Sequence, residues 1–196
     1  MVNLKRTRED ILSSVQDLIH HQGFQATGLK ELFAASGTSS GSFYNYFESK
    51  DELAHALIDL QWHQLKTVIL EPAKTISDDP IAQVFWMLDR VEEKHLAEPD
   101  CAGCFLGNLV VELAKQDDSF KQHLVQVFDG WQAAIAVSLK AGRDQLKSEI
   151  DPEALAEQLL VTIEGALLLG RLYAEPSRLK RYFDGARGLL RSSLKS

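Results

Sequence analysis

Cysteine and long hydrophobic runs are both scarce in this sequence. Only two of the 196 residues are cysteine, Cys101 and Cys104. Two cysteines are too few for the disulfide framework of a secreted domain, so we expect a protein of the reducing cytoplasm. No stretch approaches the roughly 18 consecutive apolar residues of a membrane span, and residues 1–6 have no apolar core of a secretory signal. The composition therefore predicts no membrane partner.

Patterns typical of enzymes are missing as well. The sequence has no Ser/His/Asp order, no paired-carboxylate motif and no phosphate-binding loop. Cys101-x-x-Cys104 is the pattern of thiol oxidoreductases, but that chemistry requires a βαβ unit, for which no strands are predicted. The six histidines do not pair with other ligand types at a strong metal spacing. We therefore expect no enzymatic activity, no catalytic residue and no cofactor or metal.

Positive charge is also in short supply. The formal net charge is −7, which argues at first against nucleic acid because phosphate binding needs positive surface. The first 50 residues, however, hold five basic and five acidic residues, so the rest of the chain carries all of the excess negative charge. A neutral segment on an acidic body can bind DNA locally, while the body keeps other surfaces away from phosphates.

Helical periodicity is present almost everywhere. Apolar residues, 45% of the chain, recur at helical spacing, and no segment alternates as a strand would. We therefore predict an all-α fold, with Ser49 and Glu52 as the capping box of a long helix. We place a domain boundary before that helix, at 1–48 and 49–196. Helices are predicted at about 7–22, 28–35, 39–45, from 49 onward, 81–97, 104–115, 120–142, 152–174 and 178–193, with a break at about 71–80.

Two short helices joined by the turn Ser36-Gly37-Thr38 have the form of a helix-turn-helix. The second is made of small polar residues with interleaved aromatics, a composition that lets a helix enter the major groove and approach base edges. We expect base reading by Ser39, Ser42 and Asn45. A generic helical bundle or a protein-binding adaptor would leave this composition unexplained.

Flanking residues suit the DNA backbone. Tyr44 and Lys50 are of the types that contact phosphates, which position a helix without reading sequence. We expect Thr27 to cap the first short helix, so that its N-terminal amides face a phosphate.

The first 55 residues resemble the TetR family of transcriptional regulators. The resemblance is carried, with every spacing preserved, by Thr7-Arg8, Ile11-Leu12, Gly23-Phe24, Thr27, Ala35, Gly37, Ser39, Gly41, Phe43-Tyr44, Tyr46-Phe47, Ser49-Lys50 and Leu53. It implies a three-helix DNA-binding domain, a C-terminal helical domain that binds a small-molecule effector and dimerises, and a homodimer on palindromic double-stranded operator DNA. The DNA-binding positions expected here are Thr27, Gly28, Thr38, Ser39, Ser40, Ser42, Tyr44, Asn45, Tyr46 and Lys50.

The stretch Gly103-Cys104-Phe105-Leu106-Gly107-Asn108-Leu109 resembles a subset of that family in which some members respond to reactive electrophiles. A thiol in the first turn of a helix also feels the positive end of the helix dipole, which favours the thiolate, although Asp100 would oppose this. Three interpretations of Cys104 stay open: a reactive sensor, a small core residue, or a metal or disulfide partner of Cys101 with help from His95. The expected effector-sensing residues are Cys104, Phe105, Asn108, Trp86 and Trp131.

The last two predicted helices carry broad apolar faces and resemble the dimer bundle of that family. Small residues in the first of them would allow close helix approach. The expected interface is Leu159, Ile163, Gly165, Leu167, Gly170, Tyr182, Phe183 and Leu190. The alternative is that these residues are buried within one subunit.

Overall fold

The computed structural model describes residues 6–98 and 101–195, and this part of the chain is helical throughout. The all-α prediction is confirmed. The Pro99-Asp100 interruption lies outside the described residues. The elements are α1 (Arg8–Gln22), α2 (Leu29–Ser36), α3 (Ser40–Tyr44), α4 (Lys50–Leu65), a π-helical segment (Lys66–Leu70), α5 (Glu71–Ile76), α6 (Pro80–Leu96), α7 (Phe105–Leu113), α8 (Asp118–Ala141), α9 (Pro152–Tyr173) and α10 (Pro176–Ser192).

Local capping signals set most helix ends. Thr7 and Asp10 form a reciprocal capping box at the start of α1, and Gly23 ends that helix with a φ of 97°. Ser49 caps α4 by accepting a hydrogen bond from the Glu52 N–H. The Glu52 carboxylate bonds the N–H of Glu48, so the second half of that box is displaced by one residue.

Pro72 does not break the chain where the sequence predicts a break. Helix α5 continues to Ile76, with Pro72 in its first turn. A proline removes one backbone donor and crowds the carbonyl four residues before it. The π-helical turn directly before Pro72 has a wider backbone hydrogen-bond spacing, in which the Glu71 N–H bonds to the carbonyl of Lys66, five residues earlier. The helix therefore continues past the proline.

Two hydrophobic cores organise the molecule. We call residues 6–48 the reader and residues 49–195 the body, following the predicted boundary. The reader packs Ile11, Leu32 and Phe43, all fully buried, into a core that continues through α4 into α7 and α8. The second core lies among α6, α8, α9 and α10. Because the first core crosses the boundary, the reader is held directly against the body.

The C-terminal helices face inward at the positions that the sequence assigned to a dimer interface. Leu159, Leu167, Phe183 and Leu190 are fully buried in the body core, and Ile163 is 2% exposed. Their interface assignment is wrong, and the alternative of burial within one subunit holds. A helix with two apolar faces gives no sign in its sequence of which face meets its own core.

Three further positions of that interface, two glycines and a tyrosine, need separate treatment. Gly170 is buried, and a Cβ there would lie 3.0 Å from Leu179 Cδ1, so it packs against α10 of its own chain and was also wrongly assigned. Gly165 lies on the other side of α9, where a Cβ would meet no atom within 4 Å. Tyr182 is half-buried.

Among the described residues, no helix is long and apolar enough to cross a membrane.

Candidate DNA-binding surface and effector cavity

Helix α3 presents a small polar surface on an aromatic base. Phe43 is fully buried, and its ring meets that of Phe33 at 5.2 Å. This anchors a helix of only five residues, whose exposed side is formed by Ser39, Ser40, Gly41, Tyr44 and Asn45. The short side chains leave room for close approach to base edges.

The turn before α3 requires a glycine. Gly37 has a φ of 62°, in the left-handed region, which costs a residue with a Cβ roughly 1–2 kcal/mol. A Cβ there would also lie 3.0 Å from the Arg6 guanidinium. The turn and Arg6 therefore form one compact corner next to the exposed side of α3.

Three of the expected DNA-binding residues, Thr38, Tyr46 and Ser39, have a hydroxyl group that makes a bond within the reader. The Thr38 hydroxyl lies 2.8 Å from that of Ser36, and the Tyr46 hydroxyl donates to the Arg6 carbonyl at 2.5 Å. The half-buried Ser42 donates its N–H to the Ser39 hydroxyl at 3.2 Å. These bonds shape the helix-turn-helix, and Ser40, Tyr44 and Asn45 remain as exposed polar residues on the outer side of α3.

Gly28 caps α2 in place of Thr27, the residue for which the sequence predicted that role. The N-cap of α2 is Gly28, whereas Thr27 is fully buried and its hydroxyl donates to the Gly23 carbonyl at 2.7 Å. The Gly28 N–H already bonds the Glu31 carboxylate at 2.8 Å. The capping prediction for Thr27 was wrong because its hydroxyl closes the preceding turn and points into the core.

Lys50 also has an internal partner. Its ammonium donates to the Phe24 carbonyl at 2.6 Å and lies 4.4 Å from the centre of the Phe24 ring. Burial lowers its pKa, while Glu112 of α7 acts in the opposite direction. Lys50 therefore fastens the α1–α2 turn to α4. Arg6 and Lys30 of the reader are exposed cations, and the Arg6 guanidinium lies against the turn before α3. The sequence did not single them out, because neither belongs to the motif that carries the family resemblance.

A cavity of about 40 Å³ lies where the reader meets the body. On this measure a water molecule needs roughly 10–15 Å³, so the cavity has room for a molecule of a few non-hydrogen atoms. It is lined by His20, Gln61, Leu65, Ile69, Val91, Lys94, His95, Cys104, Phe105, Leu106, Trp131 and Leu167. His20 belongs to α1, so the reader itself supplies part of the wall.

The structure brings three of the five expected sensing residues together. Cys104, Phe105 and Trp131 line the cavity. Asn108 donates to the Ala102 carbonyl at 3.1 Å and faces a surface groove instead. Trp86 is half-buried against the body core beside Arg90 and is not among the cavity residues; from α6, Val91, Lys94 and His95 line the cavity instead. Sequence reasoning missed His20 and Gln61, which have no local motif.

Burial sets the chemistry of the polar groups around the cavity. Desolvation lowers the pKa of His95 to about 4, and its ring Nδ1 donates to the Val91 carbonyl at 2.8 Å. Desolvation also lowers the pKa of His20, whose Nε2 donates to the Gly103 carbonyl at 2.8 Å. Both imidazoles are therefore neutral at pH 7.

The thiol of Cys104 is not activated toward the thiolate form. Burial raises its pKa well above the ordinary value, and the neighbouring Glu164 carboxylate raises it further. The expected effect of the helix dipole is present as the Gly107 N–H, which lies 3.3 Å from Sγ, but desolvation outweighs it. The expected opposing charge of Asp100 lies outside the described residues. Cys101 and Cys104 are both free thiols, and the described residues contain no cluster of metal-ligating side chains.

Glu164 of α9 is a buried acid beside this thiol. Desolvation raises its pKa to about 7, and its Oε1 finds no hydrogen-bond partner in the described protein. A Cβ at position 107 would lie 2.4 Å from Glu164 Oε2. Gly107 therefore provides the space for this carboxyl group.

Helix α7 connects the cavity to the reader at both of its ends. At its start, the Gly103 carbonyl accepts the hydrogen bond from His20, and the Phe105 ring lies 5.4 Å from the His20 ring. Near its end, Glu112 accepts the Gln25 N–H at 2.7 Å. One rigid helix thus touches the cavity and the α1–α2 turn.

Comparisons with known proteins cover both parts of the chain. Residues 11–57 match the family model "Bacterial regulatory proteins, tetR family", and residues 86–186 match "Tetracyclin repressor-like, C-terminal domain". An HTH-type transcriptional regulator in the lacX 3' region of Lactococcus lactis subsp. lactis is 32% identical over 93% of this chain and 92% of its own length.

Two further proteins are similar along most of their length. The transcriptional regulator AcuR of Cereibacter sphaeroides is 28% identical over 82% of this chain and 74% of its own. The solved structure of regulatory protein TetR from Rhodobacter sphaeroides superposes with a TM-score of 0.83 at 27% identity, covering 93% of this chain and 96% of that one.

The two candidate phosphate contacts can be separated by their salt dependence. We expect Arg6→Gln to reduce the slope of log affinity for duplex DNA against log salt by about 0.9, the value for one lost phosphate contact. Lys50→Gln should leave the slope unchanged, because its ammonium is bonded to Phe24. Fluorescence anisotropy across a salt series measures both. A reduced slope for Lys50→Gln would instead place that ammonium on a phosphate.

The raised pKa of Glu164 makes stability depend on pH. Between about 4.5 and 7 the folded protein keeps a proton that the unfolded chain has lost, so this group's contribution to stability falls as pH rises through that window. We expect Glu164→Gln to unfold in urea with a free energy roughly 2–3 kcal/mol above that of the wild type at pH 8. At pH 4.5 the two proteins should differ little.

A matched control lies on the same helix. Glu157 is exposed, so Glu157→Gln should change stability by less than about 0.5 kcal/mol at either pH. Unfolding is compared at one protein concentration, since any association adds to apparent stability. An equal gain for Glu164→Gln at both pH values would contradict the assigned pKa.

Proposed function

The chain belongs to the TetR family of DNA-binding transcriptional regulators, and we propose that it is a cytoplasmic homodimeric repressor that a small molecule releases from its operator. One observation carries the release mechanism: His20 of the reader lines a cavity that is otherwise formed by the body. A molecule in this cavity touches both parts of the protein. Its occupancy can therefore change how the reader sits on the body.

The contacts of α7 supply the physical route for release. An effector shifts a conformational equilibrium only by its differential affinity for the two states. The cavity is lined by Cys104, Phe105 and Leu106 at the start of α7, while Glu112 on the same helix holds the Gln25 N–H of the reader. An effector that fits best with α7 displaced would move the α1–α2 turn and thereby the recognition helix that follows it.

The exposed side of α9 supports a homodimer. Val161, Leu168 and Leu172 are 67%, 63% and 70% exposed, and their spacing puts them on one stripe of the helix. Gly165 lies between them with open space above it. In a two-fold dimer the same patch of the two subunits is in contact. A second copy of this chain would therefore bury the stripe, and the two readers would lie on two half-sites.

Covalent sensing at Cys104 is the finer version of this proposal. Its support is the resemblance of the Gly103–Leu109 segment to electrophile-responsive relatives and the position of Cys104 at the cavity wall. The raised pKa keeps the thiol protonated at neutral pH, and the thiolate is the reactive species. This chemistry favours an effector that binds without forming a covalent bond.

The dimer proposal is tested on the exposed stripe. We expect Leu168→Glu to give a monomer in sedimentation velocity at micromolar concentration, because two carboxylates would be desolvated across the two-fold axis. Val68→Glu is the control, since Val68 is 62% exposed on the π-helical segment, away from α9, and should remain dimeric. A monomeric wild type, or a dimeric Leu168→Glu protein, would refute the interface.

Operator recognition is tested by repeated selection from randomised DNA duplexes. We expect enrichment of a palindrome with half-sites about one helical turn apart or more. Asn45→Ala should weaken binding to that sequence by roughly 10- to 100-fold, with a smaller effect on unrelated duplex. Glu48→Ala, at an exposed residue beyond the recognition helix, is the control. Enrichment of no sequence, or of one without two-fold symmetry, would count against the proposal.

A further inference from the structure

One side chain in the cavity wall has an unused hydrogen-bond donor. Gln61 of α4 is 5% exposed, and its Nε2 finds no acceptor among the described residues of the protein. A buried amide without a partner is costly, so such groups in folded proteins usually meet a bound molecule or an ordered water. Gln61 is also one of the residues that line the cavity.

The remaining wall favours an acceptor of negative charge. Lys94 lines the cavity, and none of its described lining residues is an aspartate or glutamate. His20 and His95 direct one ring nitrogen each to a backbone carbonyl and carry no charge at pH 7. The lining residues therefore combine one exposed cation, Lys94, with one unpartnered amide and no carboxylate. Glu164 lies beside Cys104 outside this lining, and burial raises its pKa to about 7.

The apolar part of the wall sets the rest of the ligand. Ile69, Leu106 and Trp131 are all at most 4% exposed and face the same space. A volume of about 40 Å³ limits the occupant to a few non-hydrogen atoms. A short carbon chain would contact these side chains, while a polar head at its end would reach Gln61.

We propose that this cavity binds a small monocarboxylate, whose carboxylate accepts the Gln61 amide proton and pairs with Lys94. This inference rests on the proposed function, because it names the chemical class of the effector. The ligand lies against His20, whose bond to the Gly103 carbonyl joins the reader to the start of α7. Binding therefore acts where the reader and body are tied together.

The experiment is calorimetric titration of the full-length protein without DNA. The probes are propionate, propionamide and propylamine, which have similar size and differ in the charge of the head group. We expect propionate to bind with a dissociation constant near or below roughly 10 mM, as a small ligand with few contacts would. Propionamide should bind at least tenfold more weakly, and propylamine should not bind.

A pair of charge-matched variants assigns the binding to this cavity. Gln61→Glu keeps the size of the side chain but puts a negative charge in the wall, so propionate affinity should fall at least tenfold. Gln64→Glu makes the same change one turn further along α4, at a residue outside the cavity wall, and should stay within about twofold of the wild type. Circular dichroism confirms that both variants are folded.

The outcomes separate this inference from the proposed function. Tighter binding of propylamine or propionamide than of propionate, no binding of any probe, or equal propionate affinity in Gln61→Glu would overturn the carboxylate site. Operator affinity is then measured with and without propionate. If propionate binds as described but operator affinity does not change, the carboxylate site stands and the release mechanism fails.

Discussion

The hydrophobic core that the reader shares with α7 and α8 is the constraint on which the rest of the structure depends. Leu53 and Leu57 of α4 pack between Phe24 of the reader and Leu109 of the body, and all four are at most 1% exposed. Interiors at this density do not deform gradually; they exchange one packed arrangement for another. In the proposed release mechanism, a change at the cavity would therefore reach the recognition helix as a shift of rigid helices.

Hydrogen bonds at the same junction help the apolar core to orient the reader on the body. Three bonds join the reader to the body: Lys50 to the Phe24 carbonyl, the Gln25 N–H to Glu112, and His20 to the Gly103 carbonyl. Each bond contributes only about 1 kcal/mol, so together they select an orientation without locking it. That balance suits the proposed release, in which the reader changes its orientation on the body.

Two buried groups work against stability in the body. Glu164 has a carboxyl oxygen without a hydrogen-bond partner beside Cys104. Burial lowers the pKa of His95 to about 4, so its ring stays neutral at pH values well below the ordinary histidine pKa. Their effects on stability have opposite signs with pH: between about 4.5 and 6.5, His95 makes the folded state more stable as pH rises, whereas Glu164 makes it less stable. Groups with strongly shifted pKa values concentrate at functional sites. Here His95 lines the cavity, and Glu164 lines the surface groove on the other side of Cys104.

The sequence by itself determined most of the helices, several of their caps and the helix-turn-helix, because these depend on neighbours within a few positions. Gly37 ends α2 in the left-handed conformation, and Ser49 caps α4, both from local side-chain chemistry. Only the tertiary structure decided which face of α9 is buried, that the hydroxyl of Thr27 and the ammonium of Lys50 turn inward, and that His20 and Gln61 meet Cys104 around one cavity. These facts depend on residues far apart in the chain, and helical periodicity shows that a face is apolar without showing what covers it.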